Sequence, residues 1–446
     1  MKFAHQVRAA LLLGTIALLP ATTAGLAAVD GRATPQFGKL MAVYQLVRAN
    51  YVDQVDDEKL MKGAIEGMLT SLDAHSSYLD GASLQRLQTM IDGNYSGLGL
   101  SVVMDDGAVK VVSPMRGSPA ERAGVKAGDY ITHLDGKLYY GGDLDEAVAK
   151  MRGEAGTSIR LSIFRPGRDE PFDVTVVRGV ISLEPVTSKL DKGIGIVTVN
   201  EFSRNVGNQV NAAIQQMKQQ SGGKLTGILL DLRSNPGGSL DEAVALSDLF
   251  LTSGDIVSQR GRVASENEYY RAESMFRGDA AKGIPMVVLI DAGSASASEI
   301  VAGALQDQHR AVIMGERSFG KGSVQQLIPL DRASAIKITT ARYYTPSGRS
   351  VQEGGIEPDI RVPQLSDPDA RKRTQRALRE SDLRGHLINE IALDDKQLET
   401  DKQDDPRFRM TSDQLKARGI TDFQLYYATE TLRRTAAVPA LATRRP

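Results

Sequence analysis

PMVVLIDAGSASASEIVAGALQDQ, residues Pro285 to Gln308, decides the fold of this chain. Met286 to Ile290 is a short apolar run with no polar alternation, the pattern of a strand buried on both faces. Ser296 and Glu299, three apart, then fit a capping box, and Ile300, Val301, Ala304 and Leu305 recur at helical spacing. A buried strand that passes through small residues into a helix is half of a βα crossover. The same grammar stands upstream. GIGIVTVNEF (193–202) precedes NQVNAAIQQMKQQ (208–220), and GILLDLR (227–233) precedes SLDEAVALSDLFL (239–251). Repeated crossovers over 180–365 imply an α/β core with a largely parallel sheet covered on both faces. Ligands of such sheets sit at the carboxyl ends of the strands, where both Arg233–Gly238 and Ala292–Ser296 fall.

Working outward, the composition changes between Gly93 and Gly179. Alternating strands with turns (94–115), the stretch SPAERAGVKAGDYITHLDGKLY (118–139), the amphipathic LDEAVAKMRGEAG (144–156) and the strand TSIRLSIFRPG (157–167) predict a compact α+β unit over 93–179. Residues 28–92 read as helical, through KLMAVYQLVRANYV (39–52) and DDEKLMKGAIEGMLTSL (56–72). Packing against the rest of the chain is the expectation there, with pairing to a second copy the alternative. Residues 366–446 are polar with helical patches, read as a solvated tail or a packing appendage. At the other end, Lys2 and Arg8 supply positive charge ahead of an apolar run from Ala9 to Leu19, broken by Pro20 and followed by Gly25-Leu26-Ala27. Residues 1–27 therefore predict a secretory signal peptide, too short for a comfortable membrane span.

The 446 residues contain no cysteine, which removes disulfides, thiol nucleophiles and thiolate metal sites together. Five scattered histidines offer no zinc spacing, so no metal is expected. A net charge of -1 gives no electrostatic case for nucleic acid. Export without disulfides fits a bacterial periplasm.

Ser294, Ser296 and Ser298 could each be structural, since Ser239 and Glu242 show the same capping pattern. A hydroxyl at a helix N-terminus nevertheless has a positive field and free backbone N–H groups beside it, as a nucleophile and its oxyanion require. No histidine is placed to serve as its base; His309 lies over three turns along the same helix. Lys321, between Gly320 and Gly322, is either an exposed turn lysine or a base kept neutral by burial, and the glycines would let backbones approach closely there. Asn235-Pro236-Gly237-Gly238 is either an ordinary strand-to-helix turn or half of an oxyanion hole. The run Gly315 to Lys321 imitates a phosphate loop, but Gly322 stands where Ser or Thr must hold Mg²⁺, and a strand rather than a helix follows.

SASASEIVAGALQD (294–307), GERSFGKGSVQQ (315–326), LDLRSNPGG (230–238), DAHSSYL (73–79), TARYYTPSGRSVQ (340–352) and GGIEPD (354–359) together resemble the bacterial C-terminal processing peptidases, the tail-specific proteases. The similarity runs from about 34 to 362 and takes in DLRGHL (382–387); one departure is Ala74, where many members carry proline. The resemblance implies a crotonase-like βα core with an inserted PDZ domain, and a serine–lysine dyad of Ser296 and Lys321, with Gln325 orienting the lysine. It further implies oxyanion donors at Gly237, Gly238 and Ala297, and a place for Asp307 near the end of the serine helix. Within the PDZ domain, Gly97, Leu98, Gly99 and Leu100 would bind a terminal carboxylate and Arg152 would sense the bound tail. Protein substrates with accessible apolar C-termini, an adaptor protein, a homo-oligomer and peripheral association with the inner membrane follow from the same likeness; no cofactor does. The alternative function is a catalytically inactive PDZ chaperone or scaffold on the same fold. An acyl-CoA hydratase would use a similar core but has no use for a PDZ domain or a signal peptide.

Overall fold

The computed structural model describes residues 35–437, apart from 82, 85, 86, 88–93, 106, 116, 117, 142, 143, 169, 183, 274–277, 367–378 and 391–407. The expected signal peptide lies outside the described residues.

Six strands form the central sheet, in the order Val186–Asp191, Ile194–Val199, Gly227–Asp231, Met286–Ile290, Val312–Gly315 and Ile360–Arg361. The first two make an antiparallel pair, and every other pairing is parallel. Alternate residues of each strand go to opposite faces. Ile228, Leu230, Val288 and Ile290 pack with the helices Val206–Gln220, Leu240–Asp248 and Ala297–Asp307. Leu229, Val287, Leu289 and Met314 pack instead with Phe423, Ala428 and Leu432 of the helix Phe423–Ala437. Both faces are thus covered, but the three crossover helices share one face. The polar C-terminal segment supplies the other cover, so it is a packing element and not a solvated tail. A fully buried Leu or Phe contributes about 1.5–3 kcal/mol, which makes this helix integral to the core.

A second sheet is antiparallel. Ala335–Tyr344 pairs with Ser323–Pro329 along one side. Its other side pairs with Ser77–Leu79 at one end and with Asp255–Gly261 at the other. The strand Ser77–Leu79 therefore joins the N-terminal segment to the same body as residues 186–362. Between them, Leu100–Asp105, Ala108–Pro114, Tyr130–Leu134, Ser158–Phe164 and Phe172–Val177 form the sheet of the α+β unit. That unit has its own core around Val109, Val111, Ile131, Ile159, Leu161 and Ile163. The chain enters and leaves it through an antiparallel ribbon, Asn94–Gly97 against Gly179–Ser182, as an inserted domain requires.

The helix Pro35–Asn50 departs from expectation, because it buries no residue. Val43 and Leu46 are 56% and 62% exposed, so the described residues leave much of its apolar surface open.

Candidate active site

The parallel sheet delivers the serine run and the antiparallel sheet delivers the lysine. Past Ile290, Asp291 Oδ1 accepts from the Ser234 N–H at 2.7 Å and the Gly293 N–H at 2.9 Å. This ties the two strand ends side by side. Ser294 is fully buried and its hydroxyl donates to Leu232 O at 2.8 Å. Ser298 is equally buried and donates to Asn235 O at 3.0 Å. Both are structural. Ser296 differs: its hydroxyl makes no cap hydrogen bond, and its backbone stands at φ 54°, ψ -110°. A non-glycine residue there is strained by about 1–3 kcal/mol, a conformation that collects at functional sites.

Glu299 holds that backbone in place. Its Oε2 accepts from the Ser296 N–H at 2.7 Å and from the Lys321 N–H at 3.0 Å. Its Oε1 accepts from the Gly320 N–H at 2.7 Å and the Ser318 hydroxyl at 2.6 Å. The carboxyl has no exposure; burial pushes its pKa up to about 7, against the pull of these four donors. Sequence alone gives Glu299 only as a helix cap. The bonds to 318–321 are long-range and leave no local signal.

Lys321 occupies the loop before Ser323–Pro329. Burial, and then the neighbouring Lys337, hold its pKa below the usual lysine value, while Glu380, Glu299 and Asp73 pull the other way. The flanking glycines answer to close backbone packing. A Cβ on Gly320 (φ +95°) would stand 2.7 Å from Glu353 O, and one on Gly322 would overlap Gln352 N. The segment after Lys321 is a strand, which removes the phosphate-loop reading. Gln325 lies on that strand, and its amide donates to Ser323 Oγ at 2.9 Å and Thr339 Oγ1 at 3.3 Å.

The Asn235–Gly238 turn presses on the serine. A Cβ at Gly237 (φ +103°) would stand 2.8 Å from both Ala295 O and Ser296 Cβ. Of the three expected oxyanion donors, Gly237 is engaged in this conformation. Its N–H already donates to Asn235 Oδ1 at 2.9 Å, and Asn235 is fixed by donating to Val199 O at 2.8 Å. Gly238 follows in the same turn, bridged to Phe202. Ala297 carries the first N–H of the serine helix, for which the helix supplies no carbonyl. Asp307, at the far end of that helix, accepts from the Ser347 N–H at 2.9 Å and anchors a turn. His309 is exposed beyond it.

In the inserted unit, Gly97 ends the entry ribbon, Leu98 is buried and Gly99 has φ +72°. The carbonyls of Leu98 and Gly99 accept from the Ala120 and Met115 N–H groups, both at 2.9 Å, which shapes a turn leading into Leu100. Arg152 directly follows the helix Leu144–Met151 and is half-buried.

Ser296 at a strained helix start, Lys321 held below the usual lysine pKa and a buried carboxylate that binds both backbones thus meet at one place. Comparison with known proteins gives the family. Residues 193–362 match peptidase family S41, residues 110–165 match the PDZ domain, and residues 22–83 match the activating protease CtpB N-terminal domain. The carboxy-terminal-processing protease of Bartonella bacilliformis is 46% identical over 353 residues, covering 79% of this chain and 80% of that protein. The carboxy-terminal processing protease CtpB of Bacillus subtilis is 35% identical over 353 residues, covering 78% and 71%. Among solved structures, the photosystem II D1 C-terminal processing protease is 28% identical with a TM-score of 0.45, covering 77% of this chain and 92% of that one. The molecule is a serine-type peptidase with an α/β core and an inserted PDZ domain. It belongs to peptidase family S41, with the carboxy-terminal processing proteases.

Proposed function

We propose that this protein is a periplasmic endopeptidase that selects substrates by their C-terminal tails and cleaves them with a Ser296–Lys321 dyad. The observation that carries the dyad is the single Glu299 oxygen that accepts from the backbone N–H of both residues. Neutral Lys321 takes the proton from Ser296 Oγ as that oxygen attacks the scissile carbonyl. The N–H groups of Gly238 and Ala297 receive the developing oxyanion, and Gly237 can join them if a substrate draws its N–H away from Asn235. Lys321 then passes its proton to the leaving amine. A water molecule, deprotonated by the same lysine, then attacks the acyl carbon; the bond to Ser296 Oγ breaks, the acid product leaves and Lys321 returns the proton to Ser296 Oγ. Burial supports the base role, because a lysine must lose its proton near neutral pH to act.

The turn Gly97–Leu100 receives the substrate's terminal carboxylate on backbone N–H groups while the peptide adds to the sheet edge, and Arg152 reports its arrival. The Lys2–Ala27 pattern and the absence of cysteine support export to the periplasm. The exposed apolar face of Pro35–Asn50 supports a homo-oligomer. An adaptor protein and peripheral contact with the inner membrane complete the reading. The test of tail selection is an unfolded fluorescent reporter with an apolar tail, offered with a free and with an amidated C-terminus. Faster cleavage of the free tail is expected; equal rates would remove the carboxylate from recognition.

A further inference from the structure

Glu380 starts a 3-10 turn (Glu380–Asp382) in the segment after the catalytic core, and its side chain has no exposure. Two parts of the body meet at it. From the N-terminal segment, His75 Nε2 lies 2.8 Å and 2.9 Å from its two carboxylate oxygens. From the turn after the antiparallel sheet, Gln352 Nε2 donates to Oε1 at 3.1 Å, while Gln352 Oε1 accepts from the Gly322 N–H at 3.0 Å. The Glu380 N–H also donates to Phe319 O at 3.2 Å. The loop that carries Lys321 is thus held on both sides by one buried residue and its amide partner. Beside it, His386 Nε2 stands 2.8 Å from Glu353 Oε1, and the Glu353 N–H donates to Gly320 O at 2.8 Å.

We propose that Glu380 is a positioning residue for peptide cleavage: braced by His75 and joined through Gln352 to Gly322, it fixes the loop 319–322 that carries Lys321 and adds one negative charge beside it. The inference rests on the dyad reading above. Lys321 feels the charges of Lys337 from Ala335–Tyr344, Glu380, Glu299 from the serine helix and Asp73 from the N-terminal segment. Burial and Lys337 favour the neutral amine, and the three carboxylates favour the ammonium. Removing the charge at 380 therefore leaves Lys321 neutral to lower pH.

The test is the pH profile of kcat/KM on the apolar-tailed reporter for wild type, Glu380→Gln, Glu380→Asp and Lys321→Ala. Glu380→Gln keeps an acceptor for Gln352 and loses the charge. Its acid limb should move down by about half a unit to one unit, with a reduced plateau. Glu380→Asp draws the charge back by one methylene and should move the limb the same way by less. A folded Glu380→Gln protein whose limb stays at the wild-type pH overturns the proposal. If that variant does not fold, the Asp variant decides by the same criterion. An active Lys321→Ala protein would remove the dyad reading and this inference with it; an inactive Lys321→Ala protein together with an unmoved acid limb in Glu380→Gln removes only the role of Glu380.

Discussion

Ser296 and Lys321 are joined through one atom: Glu299 Oε2 accepts the backbone N–H of each, at 2.7 Å and 3.0 Å. Ser296 comes from a parallel strand–helix junction and Lys321 from a loop that leads into the antiparallel sheet. Glu299 is where the two are tied together.

Replacing Glu299 with alanine leaves three backbone N–H groups and the Ser318 hydroxyl without their acceptor. Each buried unsatisfied donor costs about 1–3 kcal/mol. Glu299→Ala should lower stability by at least ~3 kcal/mol in urea titration and abolish cleavage. Glu299→Gln, which presents one oxygen and one NH₂, should fall between the two. An alanine variant of wild-type stability and activity would contradict the shared-acceptor account.

Lys321 carries a stability signature of fixed sign. Its folded pKa lies below 10.5, so between that lowered value and 10.5 the unfolded chain binds more protons. Wild-type stability therefore rises with pH across this window. Lys321→Met removes the buried amine at similar volume. It should be inactive yet more stable than wild type at neutral pH, with the gain fading as pH approaches 10.5. Denaturant midpoints at neutral and high pH measure it; a Met variant destabilised at both would count against a buried base.

Gly237 has no room for a side chain. A Cβ there would stand 2.8 Å from Ser296 Cβ and 3.0 Å from Ala297 N, on a backbone with φ +103°. Gly237→Ala should cost about 1–3 kcal/mol and displace the serine, reducing kcat by more than ~100-fold while KM changes little. Unchanged kcat would show that the turn does not hold Ser296 in place.

The C-terminal helix is clamped to the core by Arg233. Its guanidinium contacts Asp231 at 2.7 Å and Asp422 at 2.8 Å, and burial of the group is offset by both carboxylates. Asp422 is 30% exposed, which softens the loss. Arg233→Ala should destabilise by about 2–3 kcal/mol, read in thermal or urea unfolding. A neutral substitution would mean that the helix holds by apolar contacts alone.

Much of this architecture is legible in the sequence, because strand runs such as Met286–Ile290 and capped helices are local patterns. The rest depends on contacts between distant residues. Ser294, Ser296 and Ser298 read alike until the structure shows two of the hydroxyls donating to Leu232 and Asn235. Glu299 reads as a cap because its bonds to Gly320 and Lys321 cross between sheets. Polar positions on Phe423–Ala437 hide the Phe423–Ala428–Leu432 face that seals the sheet. Conversely, the apolar spacing of Pro35–Asn50 predicts burial that the described residues do not supply. The Gly237 N–H looks available for an oxyanion until Asn235 is found to accept it.

The central claim is that Ser296 and Lys321, and no other serine of the run, perform cleavage. The most direct test is cleavage of the apolar-tailed reporter by wild type, Ser296→Ala, Lys321→Ala and Ser294→Ala, each checked for folding. The account predicts that the Ser296 and Lys321 variants fold and cut nothing, while Ser294→Ala, where it folds, still cuts. Cleavage by a folded Ser296→Ala or Lys321→Ala protein would contradict it.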